Sequence, residues 1–157
     1  MESRGLTIRH RPFIRRRKRS DKSTPNRRSR KAIGRRGERI AQKWLSNHLN
    51  VNPRPATLIA EGFGTWPVDL YDDESAWVYE VKMGRISLPK AIREGFDMAR
   101  ILAAGLVNGV TMISVEHKGR IGFTKAAETY LRKANVGMFL IRPGSTPGSR
   151  HQTPRSI

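Results

Sequence analysis

Cysteine is absent from the 157 residues, which excludes a disulfide scaffold, a thiolate zinc site and a cysteine nucleophile. No apolar run approaches the ~18 residues of a membrane-spanning helix, and no signal-peptide core follows Met1. Acidic residues are few: 13 Asp and Glu stand against 31 Lys and Arg, a formal net charge of +18. The four histidines, His10, His48, His117 and His151, lack the spacing of a metal-binding pair. Ser87 and Ser114 have no base nearby in sequence, so a serine-hydrolase triad has no support. Gly62-Phe63-Gly64-Thr65 lacks the Gly-Lys pair of a phosphate loop and reads as a plain turn.

What is present is a chain of one-domain length, 37% hydrophobic and 28% charged, with its positive charge concentrated at the ends. Residues 1–31 hold 13 Lys and Arg against 2 acids, and residues 142–157 hold 3 Arg and no acid. Between them, 15 basic residues nearly balance 11 acidic ones. Cationic ends of this kind imply a polyanionic partner, nucleic acid first, through release of counterions at phosphates. A membrane surface is not expected as a partner, because the arms lack apolar residues at helical spacing. Residues 1–31 are expected to be a basic disordered arm, since they hold too few apolar side chains to offset their ordering entropy. Their Arg-rich, acid-poor make-up also resembles an organellar transit peptide. Residues 143–157, punctuated by Pro and Gly, are expected to be a flexible basic tail.

Residues 32–142 alternate between helical and extended periods. Ile33, Gly37, Ile40, Ala41, Trp44, Leu45 and Leu49 predict a first helix over about 35–48. Strands are predicted at 56–60, 68–71 and 76–82, the last two forming a hairpin about Asp73-Glu74. Ser87 caps a second helix that buries Leu88, Ala91, Ile92, Ala99 and Leu102 and ends at Gly105. A strand at 107–115, a short run at 121–123, a helix capped by Thr124 and a strand at 136–141 complete a mixed α/β sheet flanked by helices.

The chemistry-bearing stretch is Pro67-Val68-Asp69 followed by Glu80-Val81-Lys82. Strand side chains alternate, so Glu80 and Lys82 share one face. A hairpin symmetric about Asp73 and Glu74 sets Asp69 opposite Val78, diagonal to Glu80 and roughly 7–8 Å from it. Charged groups among Trp77, Val78, Tyr79 and Val81 are costly unless they pair or bind an ion. Two carboxylates suit a hard cation such as Mg²⁺ or Mn²⁺, with the Val81 carbonyl as a further ligand. Lys82 would then position an attacking water or stabilise charge on phosphorus. Trp66 and Trp77, beside the motif, are expected to pack in the core rather than stack on bases.

These residues resemble the PD-(D/E)xK nuclease superfamily, the restriction-endonuclease-like fold, whose core runs helix, three strands, helix, strand. Gly34-Arg35-Arg36-Gly37-Glu38-Arg39-Ile40-Ala41 resembles the opening of its Holliday-junction-resolvase-like branch. The resemblance implies Asp69, Glu80 and, in an auxiliary role, Glu38 as metal ligands, and Lys82 as the catalytic lysine. Two features depart from the pattern: Val68 separates the proline from its acid, and the second helix carries Lys90, Arg93, Glu94 and Asp97 in place of a glutamine. The implied function is a Mg²⁺- or Mn²⁺-dependent DNA endonuclease, with branched and linear DNA both open as substrate. The alternatives are a non-catalytic nucleic-acid-binding or packaging protein of the same fold and an RNA-associated basic protein. Arg15, Arg16, Arg17, Lys18, Arg19, Arg27, Arg28, Arg35, Arg36, Arg85, Lys90 and Arg93 are the expected nucleic-acid contacts. DNA, or RNA in its place, and a second copy of the chain are the expected partners, in a cytoplasmic or nucleic-acid-associated setting.

Overall fold

A computed structural model describes residues 5–12 and 25–143, the side chains of residues 25–29 excepted. The basic run Arg15–Arg19 and the whole tail after residue 143, His151 included, lie outside the described residues. Among the described residues nine elements follow one another: β1 (Leu6–His10), α1 (Pro25–Leu49), β2 (Arg54–Ala60), β3 (Gly64–Asp72), β4 (Trp77–Met83), α2 (Leu88–Ala103), β5 (Gly109–Val115), α3 (Lys125–Lys133) and β6 (Gly137–Ile141). The strands form one sheet in chain order. β1 to β4 pair antiparallel, while β4, β5 and β6 pair parallel because a helix returns the chain across the sheet before each new strand.

The two faces carry separate cores. On one, Ala41, Trp44 and Leu45 of α1 cover Leu70, Val81, Ile113, Val115, Phe139 and Ile141. On the other, α2 and α3 bury Ala91, Met98, Ile101, Ala127 and Leu131 against Leu58, Val78, Val110 and Met112. β5 is buried at six of its seven positions, as a strand covered on both faces must be. β4 lies beside it and still carries Glu80 and Lys82.

Several expectations change. Residues 6–10, expected in a disordered arm, form an edge strand, since Leu6 and Ile8 alternate with polar residues and pack on the second core. The first helix begins at Pro25, ten residues before its expected start, with proline at the position where a missing N–H costs nothing. Ile92 is 43% exposed instead of buried. The inward stripe of α2 runs through Ala91, Gly95, Met98 and Ile101, because Gly95 lets the helix close on Leu131, which a Cβ would meet at 3.3 Å. Residues 121–123 form no strand, only a single bridge from Phe123 to Ile86. Ser87 occupies the N-cap of α2 but makes no side-chain cap bond, whereas Thr124 accepts from the Ala127 N–H at the start of α3. Among the described residues no helix is long and apolar enough to cross a membrane.

The β3–β4 hairpin sets the register of the functional stretch. Leu70 faces Tyr79, Tyr71 faces Val78 and Asp72 faces Trp77, a register that, continued, runs Asp69 toward Glu80 rather than Val78. The turn is responsible: the Asp72 carboxylate accepts from the N–H and hydroxyl of Ser75 (3.0 and 2.5 Å). Ala76 then takes a left-handed conformation, placing the turn centre beyond Asp73. The displacement is two residues, an even number, so the face of every side chain is kept.

Two glycine substitutions test the packing. A Cβ at Gly109 would run into the Trp77 indole, whereas one at Gly34, in exposed helix, meets nothing within 4 Å. Gly109→Ala should destabilise by about 1–3 kcal/mol, and Gly34→Ala should stabilise by about 0.5–1 kcal/mol. Urea unfolding midpoints moving in the same direction for both would contradict this packing.

Candidate functional site

The site begins where two strands part. β3 holds Asp69 and Leu70 opposite the single residue Pro55 of β2, a bulge that bends the strand and re-aims its side chains. On its other side, pairing with β4 stops at Leu70 and Tyr79. Pro67, which has no N–H to give a ladder, lies in the stretch of β3 that has already left β4. One rung further in the same register would bring Val68 to Val81. Instead the Val81 N–H donates to Asp69 Oδ2 at 2.8 Å, so a side chain occupies the gap where backbone pairing would continue. In an extended strand the N–H and C=O of a residue point to one edge, so the Val81 carbonyl faces the same gap.

Four elements supply side chains to this opening. From β4, Lys82 Nζ donates to Glu80 Oε1 at 2.8 Å and lies 3.8 Å from Asp69 Oδ2. From α2, Glu94 Oε2 stands 3.5 Å from the same ammonium. From α1, on the opposite face, Glu38 comes within hydrogen-bonding reach of Asp69. Gly37 makes that approach possible: it is buried against β4, and a Cβ there would meet Met83 Sδ at 2.6 Å. Asp69, Glu80, Lys82 and Glu38, singled out in the sequence, are therefore brought together.

Two members were not anticipated in this role. Glu94 is visible in the sequence on the second helix, but its link to Lys82 depends on how that helix is rotated. Arg11 follows β1 and donates from Nη2 to the Val68 carbonyl at 2.5 Å. The only signal for it is the apolar alternation of Leu6 and Ile8 within an otherwise basic segment.

Electrostatically the pocket has more negative than positive charge. Glu38, Asp69, Glu80 and Glu94 gather around one lysine. Burial, then the Asp69 charge, pushes the Glu80 carboxyl up to about 8 against the opposing pull of Lys82. Burial, the Asp69 charge and a hydrogen bond to Asp69 raise Glu38 to about 7, while Arg11 and Lys82 act the other way. Burial alone would lower the Lys82 ammonium, but Glu80, Asp69 and Glu94 outweigh it and hold it above its ordinary value. Lys90, half-buried in the first turn of α2, is lowered by burial and by the Lys82 charge.

The remaining expected contacts are dispersed. Arg35, Arg36, Arg85 and Arg93 are exposed, and the side chains of Arg27 and Arg28 are outside the described set. Trp77 donates from Nε1 to Thr111 Oγ1 at 2.9 Å, and Trp66 packs on the core. His10 pairs with Asp73 at 2.8 Å and His48 lies on Trp44, both away from the pocket. Ser114 joins Gly84 and Gly122 as a buried tie.

The donor set is all oxygen, which suits a hard divalent cation. Among the described residues no group of three or more His, Asp and Glu is arranged as a metal cage; the cation held by these carboxylates is the Lys82 ammonium. Comparison of the chain with protein-family models, with curated proteins and with solved structures finds no match in any of the three.

The raised carboxyls predict how stability follows pH. Their neutral forms are favoured in the folded state, so this contribution is full below about pH 4.5 and is lost as pH rises through about 7 and 8. Lys82 keeps its proton throughout that window. The urea midpoint of the metal-free protein should fall between pH 5.5 and 8.5, and Glu80→Gln should flatten the fall. A midpoint that rises over this range would show that the carboxylates are not crowded as described.

Proposed function

We propose that this chain is a metal-dependent endonuclease of the PD-(D/E)xK type that hydrolyses phosphodiester bonds in DNA. The observation that carries the reading is the convergence of Asp69, Glu80 and Lys82 at the parting of β3 and β4, with Glu38 reaching in from α1. The element order supports it: α1, three antiparallel strands, α2 and the parallel β5 follow the sequence helix, three strands, helix, strand. So does the contrast between an acidic pocket and a chain of net charge +18, which draws a polyanion to a place able to concentrate cations.

In this reading Asp69, Glu80 and the Val81 carbonyl hold Mg²⁺ or Mn²⁺, with Glu38 in an auxiliary place. The chemistry such an ion supplies is acidification of a water and polarisation of a phosphoryl oxygen. Lys82, kept charged by its carboxylate neighbours, donates a hydrogen bond to the attacking water or to oxygen on which charge develops. Glu94 restrains that ammonium from the α2 side. Water adds to phosphorus, the bond to one ester oxygen breaks, and a phosphomonoester and a free hydroxyl result. Basic residues outside the pocket bind phosphates without reading sequence. Two pockets are needed to cut both strands, and a symmetric pair of chains would supply them.

The test is cleavage of branched, single-stranded and duplex DNA with Mg²⁺, with Mn²⁺ and with EDTA. Wild type should cut only with metal. Asp69→Ala and Lys82→Ala should retain DNA affinity and lose about 10²-fold or more in rate, the scale of removing one stabilising group from a reacting centre. Undiminished cleavage by Lys82→Ala would refute the assignment. Tight binding by wild type with no cleavage under any metal would favour the non-catalytic reading, in which Lys82 simply neutralises its neighbours.

A further inference from the structure

The parting of β3 and β4 leaves the Val81 N–H without the partner a continued ladder would supply. A backbone group left unpaired in a folded interior costs about as much as a lost hydrogen bond, so it calls for a substitute. Asp69 Oδ2 supplies it at 2.8 Å. Val68, the residue before Asp69, pairs with Ala56 and is braced from the far side of β2. Past β1, Arg11 continues the pairing by donating its own N–H to the Pro55 carbonyl at 2.8 Å, which fixes the root of its side chain. Its guanidinium then reaches the Val68 carbonyl, one residue before Asp69. Pro55 is also the residue that faces the Asp69–Leu70 bulge, so one backbone segment seats both the arginine and the bulge.

We propose that Arg11 is a positioning residue of the pocket: by holding the Val68 carbonyl it keeps β3 parted from β4 and Asp69 aimed at Glu80, Lys82 and Glu38. The edge strand β1 is then part of the site rather than a leader to the domain. Arginine suits the task because its planar fork stays charged and engages an oxygen with less loss of freedom than a lysine ammonium. The positional claim stands on the hydrogen bonds alone, while its meaning for catalysis rests on the nuclease reading above.

The experiment uses the full ¹⁵N-labelled chain as wild type, Arg11→Ala, Arg11→Lys and Arg9→Ala, the last removing an exposed cation from the same strand. Hydrogen exchange at the Val81 amide reports the Asp69 position directly. It should quicken about tenfold or more in Arg11→Ala, stay as in wild type in Arg9→Ala, and recover in part in Arg11→Lys, with a tenfold change corresponding to about 1.4 kcal/mol. Unchanged protection at Thr7 and Ile59, which pair across β1 and β2, would show that β1 remains docked. In calorimetry with Mn²⁺ alone, Arg11→Ala should bind the ion several-fold more weakly, and in cleavage it should lose kcat with KM close to that of Arg9→Ala. Val81 exchange in Arg11→Ala equal to that in Arg9→Ala, or a rise in KM alone, would overturn the proposal. A wild-type protein that takes up no Mn²⁺ and cuts no DNA would overturn the nuclease reading, and the Val81 amide would still decide the place of Arg11.

Discussion

The constraint on which the site depends is the interruption of one β-ladder between two central strands. A sheet interior rewards continued pairing, and β3 and β4 pair over only three registered positions before they part. The bulge opposite Pro55, the proline at 67 and the Asp69 side chain all act at this point. Each removes or replaces a rung. The opening they leave is wide enough for side chains from both faces of the sheet, which is why α1 and α2, on opposite sides, both contribute a carboxylate.

The same opening explains the charge balance. A glutamate and a lysine in a strand beside the core are tolerable only when they meet each other, and Glu80 and Lys82 do. Further carboxylates then exceed what one ammonium neutralises, and the excess appears as the raised carboxyls of Glu80 and Glu38. Crowded, partly desolvated carboxylates resist ionisation until a cation arrives. In a chain so basic overall, their concentration in one pocket is a local reversal of sign that stability alone does not require.

Much of this was legible in the sequence because it follows short periods. The two-residue alternation set Glu80 with Lys82, and the resemblance of Gly34–Ala41 singled out Glu38 on a helix whose period was plain. The hairpin face survived a misplaced turn centre because the displacement was even. What escaped depended on contacts distant along the chain. The bulge arises from Pro55 facing a strand more than ten residues later. The rotation of α2, which exposes Ile92 and places Glu94 over Lys82, is set by Gly95 closing on α3. β1 was masked by composition: its Leu6 and Ile8 are diluted by arginines, and it is stable only because β2 offers an edge.

The central claim is that the parted strands form a seat for a divalent ion. Crystals grown with Mn²⁺ and measured at the manganese absorption edge test it most directly. The account predicts one anomalous peak bounded by the Asp69 and Glu80 carboxylates and the Val81 carbonyl, with the Lys82 ammonium displaced from Glu80 but still adjacent. Manganese found only on surface carboxylates, with the Lys82–Glu80 bond intact, would contradict it.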